Sequence, residues 1–379
     1  MHRTLWTLSL VALVFVLAPA CERSKPERRP SPVRIGVMLP LTGGAASLGQ
    51  SCRRGVELAI EQYSQDKIAG QPDIVLVTED TQAKPAQGIS AFHKLTDADK
   101  VHAIIGPLAS SVTIAVAPLT ERAHTVILSP GASTPSISAA GEFVFRNELS
   151  EALGARRQAE LAYQTLGYRK IALIYVNNEY GVGTATQFRS RFTELGGSVP
   201  VDEAFTPAAT NFRTVLTKLK NSAADAVFFV YQDSVLDFMR QRAELGVATQ
   251  VFTTPVFEDP SNLKNLGHLA EGVVYAYYGD FDPQSKDDLR RQFVVAYTTR
   301  YDETPTYYSA LGYDAARILL KALSNCSFKR TSVAEALYSI KDFPGVTGIT
   351  TFDSNGDVNK PVTLRTVRSG AFVKYKDIP

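Results

Sequence analysis

Val101-His102-Ala103-Ile104-Ile105-Gly106-Pro107-Leu108-Ala109-Ser110-Ser111 is the stretch whose reading decides the fold. Its mostly aliphatic opening predicts a strand over 101–105 buried on both faces, because a strand with one wet face alternates polar and apolar residues. Small residues and a proline then break the run. Ser110 and Ser111 open an amphipathic stretch that predicts a helix over 110–122. A strand running straight into a helix is half of a parallel crossover unit.

The same alternation extends outward in both directions. Upstream, strands are expected over 33–39 and 73–78 and helices over 50–62 and 83–95; Val56, Ala59 and Ile60 share one face of the first helix. Downstream, a strand is expected over 125–128. The pattern then restarts, with helices over 151–166, 180–195, 212–221 and 234–245 and strands over 170–176, 199–205, 226–231, 251–254 and 273–277. Helices follow over 287–301, 309–323 and 332–340. The expected fold is α/β, with two doubly wound parallel-sheet lobes. At the end of the chain, 348–352 and 362–374 are expected to form a β-hairpin around Asp353-Ser354-Asn355-Gly356-Asp357. That turn lacks the Gly-then-Glu spacing of a calcium loop.

Ligands of open α/β sheets sit beyond the carboxyl ends of the strands, against helix N-termini. Here those positions are rich in small and hydroxyl residues: 40–49 after the first strand, 106–111 after the third, and Ser129-Pro130-Gly131-Ala132-Ser133-Thr134 after the fourth. Small residues let a ligand approach backbone N–H groups, and hydroxyls add directed bonds. Any one such loop reads equally as a turn with a helix cap. Three in one half point to a pocket that takes a carboxylate.

The chain has 379 residues, with 40 basic and 38 acidic side chains. It begins with an apolar run over 5–18 that suits a secretory signal core and is short for a membrane span of about 20 residues. Leu17-Ala18-Pro19-Ala20-Cys21 resembles a bacterial lipobox, which implies a signal peptide over 1–20 and lipidation of Cys21. The charged, Pro-rich segment 21–32 reads as a disordered tether. Removing the five basic and two acidic residues of 1–32 leaves 35 against 36, so the body is near neutral and is no nucleic-acid binder by field. Cys52 and Cys326 remain, as one disulfide or two thiols. No Cys/His cluster offers a metal site, and no cofactor is expected.

The chain resembles the type I periplasmic binding proteins, specifically the leucine/isoleucine/valine receptors of ABC importers, over nearly all of 33–379. The likeness rests on Ile35-Gly36-Val37-Met38-Leu39-Pro40-Leu41-Thr42-Gly43, the 105–111 loop, Leu128-Ser129-Pro130-Gly131-Ala132-Ser133, Asn178-Glu179-Tyr180-Gly181, Gly312-Tyr313-Asp314-Ala315 and Phe352-Asp353-Ser354-Asn355-Gly356-Asp357.

The resemblance implies two lobes joined by a three-crossing hinge near 147–148, 280–281 and 347–348. The N-terminal lobe would be 33–147 plus 281–347, and the C-terminal lobe 148–280 plus 348–379. It also implies that Ser110, with Ser111, binds a ligand carboxylate, that Gly131 and Ser133 add contacts, and that Tyr180 and Tyr231 close from the second lobe. Tyr308 would line the side-chain pocket and Leu48 would form an apolar wall. In amino-acid receptors an acid after the strand ending here at Thr254-Pro255 pairs with the ligand ammonium. This chain has Val256 at that place; Glu258 and Asp233 are the nearby acids. An ammonium without a carboxylate partner is costly to desolvate, so a carboxylate, amide or small aromatic ligand stays open beside an amino acid.

The implied function is an extracytoplasmic, lipid-anchored solute-binding protein of the periplasm or cell envelope. It would capture a carboxylate-bearing amino acid or related amide and deliver it to an inner-membrane ABC permease. The same fold also serves sensing lipoproteins and activators of cell-wall synthases. Enzyme motifs are missing: no G-x-S-x-G elbow, Walker loop or H-E-x-x-H, and Gly181-Val182-Gly183 lacks a third glycine.

Overall fold

The computed structural model describes residues 30–375. The expected signal peptide, the lipidation at Cys21 and most of the tether lie outside the described residues. Among the described residues, no helix is long and apolar enough to cross a membrane.

The first sheet holds five parallel strands in the order β2-β1-β3-β4-β5: β1 Val33–Leu39, β2 Ile74–Asp80, β3 Ala103–Ile105, β4 Ile127–Ser129 and β5 Val144–Arg146. β3, β4 and β5 are buried at every residue, as the aliphatic runs require. β5 was not anticipated; three residues carry too little pattern to register as a strand. The helices between these strands are α1 Ala46–Asp66, α2 Pro85–His93 and α3 Ser110–Ala123.

The second sheet is ordered β14-β13-β10-β9-β8-β6-β7, with β13 Val362–Arg368 and β14 Ala371–Lys374 at one edge. Five of its strands are parallel: β6 Ile171–Val176, β7 Asp202–Phe205, β8 Ala226–Val230, β9 Gln250–Thr253 and β10 Val274–Tyr278. Its helices are α4 Glu151–Glu160, α5 Glu179–Glu194, α6 Arg213–Asn221, α7 Val235–Glu244 and α8 Pro260–Leu266. Both sheets change winding direction at an inner strand, β1 in one and β6 in the other. Each therefore has a switch point where a crevice opens at the carboxyl ends.

α9 Asp288–Tyr301 and α10 Tyr307–Asn325 return to the first sheet, where α10 packs along α1 and is buried through most of its length; α11 Val333–Tyr338 follows.

The chain end corrects the expected hairpin. β12 Gly348–Thr350 pairs with β11 Phe343–Gly345, whereas β13 Val362–Arg368 lies antiparallel to β10 and turns into β14 Ala371–Lys374. The turn over 353–357 does form, closed by an isolated bridge between Phe352 and Val358. It belongs to the first sheet's side. The Arg146 N–H donates to Gly356 O (3.0 Å), and the fully buried Arg146 side chain grips Asp357 at 2.7 and 2.8 Å. Phe352 packs on Phe145 of β5. Assigning everything from 348 onward to the second lobe therefore fails for 352–358, and the chain rejoins the second sheet only at Val362. Cys52 and Cys326 are both free thiols.

Candidate functional site

A cavity of about 560 Å3, counted out to its mouth, lies between the two sheets. Every segment lining it follows the carboxyl end of a parallel strand or opens a helix. From the first sheet come Pro40 after β1, Leu48 in α1, Leu108 to Ser110 after β3, Gly131 and Ser133 after β4, and Glu148 and Glu151 after β5. From the second come Tyr180 after β6, Gln232 after β8, Pro255 and Val256 after β9, and Tyr278 at the end of β10. Tyr308 enters from the first turn of α10.

The α3 terminus carries no side-chain cap; the Val112 and Thr113 N–H groups donate to Ala109 O (3.1 and 3.0 Å), and the Ser110 residue that opens the helix lines the cavity. The Ser110 hydroxyl accepts from the backbone N–H groups of Ser133 (3.2 Å) and Thr134 (3.3 Å). One side chain thus ties the two serine loops together and keeps its own proton to donate. Ser129 reinforces the second loop, donating to Pro107 O (2.6 Å) and accepting from Ala132 N–H (2.9 Å). Arg146 Nη1 donates to Thr134 O (2.8 Å).

Tyr180 is buried and donates its hydroxyl to Thr254 Oγ1 (2.6 Å), so that proton is already engaged within the second sheet's side. Tyr308 is buried edge-on to Tyr307 (5.6 Å).

The cavity brings together Leu48, Ser110, Gly131, Ser133, Tyr180 and Tyr308. Three expected residues are not among its lining. Ser111 is half-buried one position along α3. Tyr231 stacks on Phe229 (5.3 Å) inside the second sheet's core. Glu258 is carried past the cleft by a short 3-10 turn, Pro255–Phe257, and is buried in an ion pair with Arg365 and under the Tyr275 hydroxyl (2.8 Å). Asp233 sits on the exposed rim, against Gly44. Neither of these acids replaces the one missing at Val256.

Two further acids, neither among the expected site residues, do line the cavity. Glu148 and Glu151 are 3% and 2% exposed. Burial pushes Glu148 up to about 8, against a hydrogen bond from Tyr307 (2.6 Å) and the field of Lys360. Burial pushes Glu151 up to about 7, against a hydrogen bond from Tyr278 (2.5 Å). Their signal was their place just after β5, at the carboxyl end of a strand. Lys360 does not reach the cavity lining; it donates to Asn147 Oδ1 (2.9 Å) and Thr347 Oγ1 (2.7 Å), and burial lowers it to about 8.

The two rims of the cleft touch. Ser47 donates to Asp259 Oδ2 (2.6 Å), and Thr134 donates to Glu179 O (3.1 Å). Gly44 and Gly183 permit this approach. A Cβ on Gly44 would lie 2.0 Å from Asp233 Oδ2, and one on Gly183 would lie 2.8 Å from Thr134 Oγ1.

The two sheets thus face one cleft with their switch points matched across it. A family model described as periplasmic binding protein matches residues 32–371. The chain belongs to the periplasmic binding protein family. A curated relative in this family, Leu/Ile/Val-binding protein homolog 3 of Brucella melitensis, is 24% identical over 336 residues, 87% of this chain and 89% of its own length. A leucine-binding protein from Thermotoga maritima superposes with a TM-score of 0.84 at 27% identity, covering 91% of this chain and 98% of that one. A solute-binding protein from Rhodopseudomonas palustris, solved with 3,4-dihydroxybenzoic acid, shares the fold at a TM-score of 0.79 and 24% identity, covering 91% and 98%. This binding protein is a solute receptor by family, not an enzyme.

Proposed function

We propose that this binding protein captures one small carboxylate-bearing solute between its two lobes and presents it to an ABC permease. The observation that carries this reading is the cavity itself, with its uncapped α3 terminus and two hydroxyl loops facing tyrosine rings from the other sheet. The donors suit a carboxylate. The walls formed by Leu48, Leu108, Pro255, Val256 and Tyr308 suit an apolar body. Branched-chain amino acids and related amides fit both ends, in keeping with the printed names of the Brucella melitensis and Thermotoga maritima relatives.

Ser110 and Ser133 hold the acid group, Gly131 allows close approach, and Tyr180 closes from the second lobe. The lobes hinge where the chain leaves β5, where it leaves β10, and between Val358 and Val362. The solute stabilises the closed form because it touches both lobes only there. Export through the signal over 1–20 and a lipid on Cys21 would place the receptor at a membrane of the cell envelope, beside its permease.

A thermal-shift screen of amino acids, their amides and aromatic acids, followed by calorimetry, tests the reading. It predicts one selective solute at one site per chain, with binding weakened in Ser110→Ala. No stabilisation by any carboxylate would overturn it.

A further inference from the structure

Resting on that reading, we infer that Glu151, held by the Tyr278 hydroxyl, is the residue that recognises an amino group on the solute. It does so from the first turn of α4, where the chain crosses between the sheets, in place of an acid at position 256.

The cavity lining contains two carboxyl groups and no lysine, arginine or histidine. A purely anionic solute brings no cation to these two buried acids, and neither can ionise there without one except at a cost. A zwitterion brings the missing positive charge with it. Of the two acids, Glu148 already has the field of Lys360, and Lys360 is anchored to Asn147 and Thr347. Glu151 has only a tyrosine hydroxyl, so it is the acid left for a ligand cation. The groups facing it are Tyr278 of β10, Tyr180 of α5, Tyr308 of α10 and Glu148 on its own crossing, none of them basic.

Placement supports the role. The Glu151 backbone N–H donates to Ser133 O (2.8 Å), so the start of α4 is clamped to the loop assigned to the solute's carboxylate. The amino and carboxyl groups of an α-amino acid are attached to one carbon. They need an acid and a set of N–H and O–H donors side by side, and this clamp supplies that pairing. Val256 and Pro255 on the opposite wall are then free to pack the apolar body of the solute.

The test pairs solutes that differ only in the amino group. L-leucine is compared with 4-methylpentanoate, and L-phenylalanine with 3-phenylpropanoate, with 4-hydroxybenzoate alongside, by calorimetry on the unaltered protein. At least one amino acid should bind 100-fold or more tighter than its deaminated partner. Repeating the titration at pH 6 in buffers of different ionisation heat should show proton release on binding, because a carboxyl that is largely protonated when empty gives up its proton to face the amine. Glu151→Gln should keep the wild-type melting temperature at pH 6 to within a few degrees, bind the amino acid at least 30-fold more weakly, and abolish the proton release.

Deaminated or aromatic acids binding as tightly as their amino counterparts would overturn the role of Glu151 while leaving solute capture intact. So would undiminished amino-acid binding by Glu151→Gln. Failure of every probe to bind would instead remove the solute reading, and this inference with it.

Discussion

Gly44→Ala places one methyl group where the two lobes meet. Its Cβ would lie 2.0 Å from Asp233 Oδ2 and 2.7 Å from both Asp233 Cβ and Cγ. The carboxylate is exposed and can swing away, but the Asp233 Cβ is held by the backbone following β8, so the rims must part by several tenths of an ångström. Overpacking of this kind costs about 1–3 kcal/mol in a tight core, and an open rim belongs at the lower end, about 1–2 kcal/mol. The open form does not make this contact, so the whole cost falls on closure. Because solute binding is coupled to closure, Kd should rise about 5- to 30-fold. Calorimetry with the best solute of the thermal-shift screen measures this, and melting without solute serves as the control. Gly183→Ala, facing Thr134 Oγ1 at 2.8 Å and Pro135 Cδ at 3.2 Å on the cleft's other side, should act in the same direction but less strongly. Wild-type affinity in Gly44→Ala would refute the premise that the bound state has the rims in contact.

Ser110→Ala should weaken binding by at least 10-fold and cost about 1–3 kcal/mol of stability, since the Ser133 and Thr134 N–H groups lose their buried acceptor; calorimetry and urea unfolding separate the two effects. Tyr180→Phe should stay within a few-fold of wild type in affinity because the ring remains, whereas Tyr180→Ala should bind at least 10-fold more weakly. Arg365→Met should destabilise by about 3–5 kcal/mol in urea, because Glu258 is left buried without its cation; solute affinity should change little, as neither residue lines the cavity. Stability without solute should fall between pH 5 and pH 8. Glu151 keeps its proton to about 7 in the folded chain, against an ordinary 4.5. Its contribution is therefore complete below pH 4.5 and is lost as the pH rises through 7, on the order of 3 kcal/mol. Glu148 acts with the same sign up to about 8. Lys360, lowered to about 8, is charged in both states across this window and does not change the slope; its contribution grows only above pH 8. Glu151→Gln should flatten the decline in a urea series.

The serine loops were legible because their chemistry is local. Val101 to Ile105 predicts a buried strand, and Ser110 opens the helix that follows it, so loop and strand end are adjacent in the chain and in space. Glu148 and Glu151 were not legible. An acid in a first helical turn reads as ordinary dipole complementation, and the short β5 hides the strand end that would have flagged them. Glu258 misled for the opposite reason. It is two residues from the cleft in sequence, but the Pro255–Phe257 turn aims it at Arg365, a partner 107 positions away. The chain end failed on pairing. Strand propensity over 362–374 was readable, but the choice of β10 as partner is long-range, and nothing local specifies it.

The most direct test is a crystal structure of this binding protein grown with the solute that stabilises it most. Electron density is expected for one molecule between the α3 terminus and Tyr180, its acid group within hydrogen-bonding distance of Ser110 and Ser133. A cleft filled by the protein's own side chains, or a solute bound anywhere else, would contradict this expectation.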